Sequence, residues 1–300
     1  MSAPQEQAAV LALTMHADGA WPSIARIIQD SGSALRLIVG DIADVDYEDR
    51  AYALAVIASV RPSDLTWAAS LIASAHTHDV RLITVLDSDY PGNLDFAHDL
   101  QPFLWARGRL RTDDWRALTI VGDDSTALAD AHHVAQAAAR AGLTVVAGLR
   151  TQVDLAVHEA ALAVGSRSLA VLDQGIHTPL NAEPYAAMAT ELTRRGVLVS
   201  QFWPHTPSDE HTVASARVVT SGLAAALYVA DGTHDSGPAH QARIALDHGR
   251  HVFVPHRLYR EQAWVRSLAY RGGVTAVHTL DELIAAVVDL MSVGHHPAPF

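Results

Sequence analysis

No cysteine occurs in the 300-residue chain, which excludes disulfides and thiolate metal sites. Lysine is absent too: all 21 basic residues are arginine. A high-GC coding bias explains that choice generally, while at a few positions the arginine fork suits a phosphate. Positive charge is scarce altogether, 21 basic against 33 acidic residues for a net charge of −12. The long-range field therefore opposes nucleic acid and leaves room only for a local basic patch. There is no run of about 18 apolar residues, so no membrane span and no membrane partner are predicted. The start, Met1-Ser-Ala-Pro-Gln-Glu-Gln7, has no basic region and does not read as a signal peptide, so a cytoplasmic location is expected.

Catalytic signatures are also missing. No Gly-x-x-x-x-Gly-Lys-Ser/Thr phosphate loop and no Gly-x-Ser-x-Gly elbow occurs. The 18 histidines are scattered, and neither His132-His133 nor His76 with His78 has the spacing of a zinc site. No catalytic residue, metal site or cofactor is assigned, and the expectation is a binding protein.

What the chain does have is a packed core, with 49% hydrophobic residues, and a change of rhythm. Residues 5–80 carry helical periodicity punctuated by Gly19, Gly32, Gly40 and Pro62. From residue 117 short β-rich runs alternate with helical segments of ten to fifteen residues. That alternation predicts a mostly parallel sheet with right-handed crossovers. The predicted fold is α/β and Rossmann-like, with helices on both faces of the sheet, preceded by a small all-α region. The expected division is a helical domain over 1–85, a Rossmann-like domain over 86–292 and a flexible tail over 293–300. A metal role for His295 and His296 in that tail is not expected.

Three segments follow strand-type runs and put small or turn-forming residues where a strand hands over to a helix. They are Val121-Gly122-Asp123-Asp124-Ser125, Ala147-Gly-Leu-Arg-Thr-Gln-Val-Asp154 and Asp235-Ser-Gly-Pro-Ala-His-Gln-Ala242. Open parallel sheets bind phosphates at such edges, where glycines admit backbone and helix N-termini present N–H groups. The three are expected to converge at the C-terminal ends of neighbouring strands, as a nucleotide or nucleic-acid site. Gly122 and Gly148 make room for a ligand, or simply allow tight turns. Asp123 and Asp124 suit a ribose hydroxyl or Mg²⁺, or cap the following helix together with Ser125. Arg150 suits a phosphate contact, or a surface ion pair. Asp154 and His158, four apart, share a helix face and suit a hydrogen-bonded pair that locks the loop. Ser236 and Gly237 before a helix form an anion-site pattern. The aromatics Trp203, Tyr228 and Phe253 read as core or rim ahead of a base-stacking platform.

The order of landmarks resembles the DNA-processing protein A (DprA/Smf) family over almost the whole chain. Leu82-Ile-Thr-Val-Leu-Asp-Ser-Asp-Tyr-Pro-Gly-Asn-Leu94 is similar to its Asp-x-x-Tyr-Pro segment, and Pro102-Phe-Leu-Trp-Ala-Arg-Gly108 to the short strand that follows. Ala117-Leu-Thr-Ile-Val-Gly122, Gly142-Leu-Thr-Val-Val-Ala-Gly-Leu149 with Asp154 and His158, Ser236-Gly-Pro-Ala-His-Gln-Ala242 and Gly249-Arg-His-Val-Phe-Val-Pro255 match further pieces in the family's order. The resemblance implies single-stranded DNA binding, delivery to a RecA-type recombinase and a homodimer formed through the Rossmann domain.

The departures fall on the family's basic motifs. Asp123-Asp124 replaces its Ser-Arg, Arg150-Thr151-Gln152 its Ala-Arg-Gly, and Val213-Ala-Ser-Ala-Arg217 keeps one arginine of its Arg-Asn-Arg. Thr151 and Arg217 therefore join the candidate site. Three readings stand: a single-stranded DNA-processing protein, a nucleotide or nucleotide-signal sensor in the same pocket, and an interaction scaffold.

Overall fold

Five helices open the chain. They are α1 (Pro4–Met15), α2 (Trp21–Ser31), α3 (Ala34–Ile38), α4 (Arg50–Ser59) and α5 (Pro62–His76). Proline sits in the first turn of α1, α2 and α5, where its missing N–H costs nothing. Gly32 ends α2 in the left-handed conformation, φ 67°. The structure, a computed structural model, describes residues 3–123, 125–180 and 182–293. Asp124, His295 and His296 lie outside the described residues, as does the tail from 294 onward.

The sheet begins with β1 (Val80–Thr84), then α6 (Gly92–Asp95) and β2 (Phe103–Gly108). The alternating part follows: β3 (Ala117–Val121), α7 (Leu128–Arg140), β4 (Thr144–Ala147), α8 (Gln152–Ala163), β5 (Ser168–Val171), α9 (Tyr185–Arg195) and β6 (Val197–Ser200). The rest comprises α10 (Glu210–Gly222), β7 (Ala226–Val229), α11 (Gly237–Asp247), β8 (His251–Pro255), α12 (His256–Glu261), α13 (Ala263–Tyr270), β9 (Val274–Val277) and α14 (Leu280–Val293). The nine strands form one sheet in the order β1-β2-β6-β5-β4-β3-β7-β8-β9. Only β2 runs against its neighbours; every other pairing is parallel. This is the expected α/β architecture. From β3 the chain winds outward through β4, β5 and β6, then returns to β7 on the other side. The gap between β3 and β7 is the topological switch point, where open α/β sheets bind ligands.

Both faces are covered. Leu118, Ile120, Val145, Ala147 and Tyr228 pack under α7, α8 and α14. On the opposite face, Leu227, Val229, Val252 and Val254 pack under α11 and α13. The opening helices share cores with the sheet: Ile24, Ile28 and Leu37 cluster with Leu104, Val171 and Val199. Helix α1 is buried on all sides from Gln7 to Thr14 and runs beside the β1 edge. The Gln7 amide donates to the Leu82 carbonyl at 3.2 Å and to Asp87 Oδ2 at 3.1 Å. A covered edge cannot recruit another strand. Asp87 Oδ2 also accepts from Thr84 N, and the buried Tyr90 hydroxyl donates to the Gln101 carbonyl at 2.7 Å. The Asp-x-x-Tyr-Pro segment is thus a clasp on the β1–β2 connection.

Residues 210–222 carry no clear apolar stripe, and sequence reasoning assigns them no element; they form α10. Its start is set by Asp209, whose carboxylate accepts from Thr212 N while Thr212 Oγ1 accepts from Asp209 N, both at 2.8 Å. Helices α12 and α13 and strand β9 are likewise additions. No helix among the described residues is long and apolar enough to cross a membrane.

Candidate functional site

Strand β3 ends at Val121, and the chain must turn sharply to bring α7 back over the sheet. A Cβ on Gly122 would lie 2.7 Å from Ala127 Cβ, so glycine is required for close approach. A single 3-10 turn, Ser125–Ala127, follows, and α7 starts at Leu128 with Ala127 as its N-cap. Asp123 therefore does not cap that helix, which corrects the capping alternative for this residue. The extra turn moves the helix start beyond its reach, and Asp123 is left exposed.

After β4 the chain passes through Gly148, Arg150 and Thr151 into α8. Thr151 Oγ1 accepts from Asp154 N at 3.1 Å, while Asp154 Oδ2 accepts from Arg150 N at 2.9 Å and Thr151 N at 2.8 Å. Those two N–H groups are consumed by the protein's own carboxylate and are closed to a ligand. His158 is fully buried behind the loop. Its Nε2 donates to the Gly148 carbonyl at 2.7 Å, and its Nδ1 lies 2.7 Å from Ser168 Oγ. Since a carbonyl only accepts, the Nε2–H tautomer follows. Burial holds the His158 pKa below the ordinary imidazole value. Asp154 and His158 thus reach the same loop independently.

After β7 the chain reaches α11, which Ser236 caps: its Oγ accepts from Ala239 N at 3.4 Å and donates to the Thr233 carbonyl at 2.7 Å. A Cβ on Gly237 would lie 3.0 Å from Arg217 Nη2, so the guanidinium of α10 rests over this glycine. Gln241 Nε2 donates to the Arg217 carbonyl at 2.7 Å and fixes α10 against α11.

These pieces meet in one cleft of about 100 Å³. Gly122, Asp123, Gly148, Arg150, Thr151 and Asp154 line it from one side, Arg217 and Gly237 from the other. The described parts of the three loops, Gly122 and Asp123, Gly148 to Thr151, and Gly237 and Pro238, thus lie at the same end of the sheet. Ser236 and His158 stand behind the walls, and Asp124 lies outside the described residues. Partial burial and then the neighbouring Arg150 pull the Arg217 pKa below the ordinary arginine value, opposed by Asp123. Arg150 is half exposed, with its Nε a loose 3.7 Å from Asp173 Oδ2. Among the described residues Arg217 makes no ion pair. An anion between the two guanidiniums relieves their repulsion and compensates the burial.

Sequence reasoning missed several residues here. Asp173 stands just beyond β5 as Asp123 stands just beyond β3, a position that could have marked it. Thr126 Oγ1 donates to Asp231 Oδ2 at 2.8 Å across the switch point. Arg257 Nη2 donates to the Ala230 carbonyl at 3.2 Å beside it. The aromatics lie elsewhere: Trp203 packs on Trp21, Trp67 and Phe103, Tyr228 donates its hydroxyl to Asp130 Oδ2 at 2.7 Å, and Phe253 is buried.

A doubly wound sheet with a cleft at its switch point defines a Rossmann-like class of protein. Residues 81–288 match the model of the DNA recombination-mediator protein A family, and the chain belongs to that family, one of DNA processing and recombination. It is 34% identical over 114 residues to Protein Smf of Escherichia coli (strain K12), a match covering 38% of this chain and 30% of that protein. A Synechocystis Protein Smf is 27% identical over 183 residues, 58% of this chain and 45% of the relative. The chain thus spans less than half the length of these two curated relatives. DNA processing protein DprA of Bacillus subtilis (strain 168) is 26% identical over 219 residues, 71% of this chain and 73% of the relative. The X-ray structure of DNA processing protein A from Streptococcus pneumoniae superposes with a TM-score of 0.64 at 19% identity, covering 90% of this chain and 97% of that one. DNA processing protein A from Helicobacter pylori, studied for its single-stranded DNA binding mode, gives 0.60 at 15% identity, covering 70% and 96%. These superpositions show a shared fold.

Proposed function

We propose that this chain binds single-stranded DNA during DNA processing and recombination, holding backbone phosphate in the cleft between the β3, β4 and β7 loops. The observation that carries the reading is the pair Arg150 and Arg217 lining the same cleft, Arg150 held only loosely by Asp173 at 3.7 Å and Arg217 in no ion pair among the described residues. The cleft's volume of about 100 Å³ suits a phosphate group. Pockets that enclose a whole small molecule run from about 300 Å³ upward. The relative from Helicobacter pylori binds single-stranded DNA, and delivery of the strand to a RecA-type recombinase belongs to the same reading. A nucleotide sensor is the second reading, favoured by Asp123 and Asp173, carboxylates suited to ribose hydroxyls in the same cleft.

With a net charge of −12 the protein repels the strand at long range, so binding is weak and salt-sensitive. Fluorescence anisotropy with labelled oligothymidine at physiological salt should give a dissociation constant of about 1–100 μM, the range of sequence-independent phosphate binding, and a smaller one at low salt. Arg150→Ala should weaken it equally for all oligonucleotide sequences, because a phosphate contact carries no base information. Thermal-shift measurements with mononucleotides should show no stabilisation. A clear shift with one nucleotide, and no binding to oligothymidine, would establish the sensor reading instead.

A further inference from the structure

Away from the cleft, three side chains from distant parts of the chain meet beside the C-terminal ends of α10 and α11. His248 is the C-cap residue of α11, and its side chain has no solvent exposure. Its Nδ1 lies 3.2 Å from Ser221 Oγ on α10. Its Nε2 has no hydrogen-bond partner among the described residues. That unpaired nitrogen lies 3.5 Å from Asp99 Oδ2, and the same oxygen lies 3.1 Å from His98 Nε2. The three atoms all fall within 4.8 Å of one another.

A buried imidazole nitrogen that forms no hydrogen bond and has only a carboxylate oxygen at 3.5 Å is under-satisfied and calls for a further partner. The spacing indicates what the partner is. Ligand atoms about 2.1 Å from a tetrahedral metal stand about 3.4 Å apart. The two histidine-to-carboxylate separations bracket that value. Two imidazoles and one carboxylate form a ligand set suited to zinc. Ser221 supplies the outer contact that such sites use to fix a ring.

We propose that His98, Asp99 and His248 bind a divalent transition-metal ion, zinc by ligand type, with solvent completing the coordination on the exposed His98 side. The His98 side chain is 57% exposed, so an ion and a water can reach the site from solvent. The ion clasps the segment between α6 and β2 to the end of α11. The site is separate from the cleft and does not rest on the DNA reading.

The test uses full-length protein without a histidine tag, loaded with zinc and then dialysed into metal-free buffer. Elemental analysis should find about one zinc per chain. His98→Ala, Asp99→Asn and His248→Ala should each weaken zinc binding by at least about ten-fold, the loss that even outer-shell changes produce. His133→Ala, an exposed histidine on α7, should leave it unchanged and so control for the chain's many other imidazoles. His98→Ala is the decisive variant, because an exposed side chain can be removed without unfolding the protein. Cobalt should give the visible ligand-field band of a four-coordinate site in the wild type and not in His98→Ala. Wild type without zinc, or zinc and cobalt behaviour unchanged in His98→Ala, would overturn the proposal.

Discussion

Replacing Asp114 by alanine should destabilise the protein by about 3–5 kcal/mol, the cost of breaking one partner out of a buried ion pair. Asp114 is 7% exposed and takes a fork from Arg167, Nε at 2.6 Å and Nη2 at 2.9 Å. It also accepts from Arg111 N at 2.8 Å and Thr144 Oγ1 at 3.2 Å. Arg167 donates to the Arg109 carbonyl as well. One carboxylate thus ties the turn before β3 to the starts of β4 and β5. Without it, the largely buried Arg167 guanidinium loses its counter-charge, and the Arg111 N–H and Thr144 hydroxyl lose their acceptor. Urea unfolding of Asp114→Ala, Arg167→Ala and the double variant measures this. The double variant should lose less than the two single losses summed. A single-variant loss under about 1 kcal/mol would place the pair in the class of surface salt bridges. The network lies at the opposite end of the sheet from the cleft, so the folded variant should keep its ligand affinity.

The second large effect belongs to His158. Removing a fully buried ring with two hydrogen bonds should cost about 2–4 kcal/mol, from the cavity and from a Gly148 carbonyl left unpaired, while the Ser168 hydroxyl keeps the Val145 carbonyl at 3.2 Å. The same residue sets a pH dependence. Burial depresses its folded pKa below the ordinary 6.5. As pH falls through that value, the unfolded chain takes up a proton that the folded chain refuses. Its contribution to stability is full above pH 6.5 and declines below it, by up to about 1.4 kcal/mol per pH unit. His177 and His251, depressed chiefly by burial as well, act with the same sign. Wild-type stability should therefore start to fall in mildly acid solution, and His158→Ala should show a shallower fall. Equal slopes for the two proteins would rule His158 out as a contributor.

The parts legible in the sequence are those whose signals are local. The strands β3, β4 and β7 are short apolar runs ending in turn residues, and the loops after them could be placed at one sheet edge from the alternation alone. The i, i+4 relation of Asp154 and His158 was equally plain. What those residues hold was not: their partners are backbone groups of the Gly148 loop, visible only once the chain is folded. Arg217 was found through a motif, but its seat on Gly237 depends on α10, whose capping by Asp209 and Thr212 outweighs a weak apolar pattern. The 3-10 turn after Gly122 took the helix cap away from Asp123, a boundary shift of the sort sequence patterns resolve poorly. His98, Asp99 and His248 have no metal-site spacing along the chain, because the fold alone brings them together.

The most direct measurement of the central claim is the salt dependence of oligothymidine binding by wild type and by the Arg150→Ala/Arg217→Ala double variant. Two lost phosphate contacts on a single strand should flatten the slope of log K against log salt by about 1.4, at about 0.7 per contact. The same change should appear with oligonucleotides of any sequence. A double variant that keeps both the wild-type slope and the wild-type affinity would contradict the assignment of the cleft as the phosphate site.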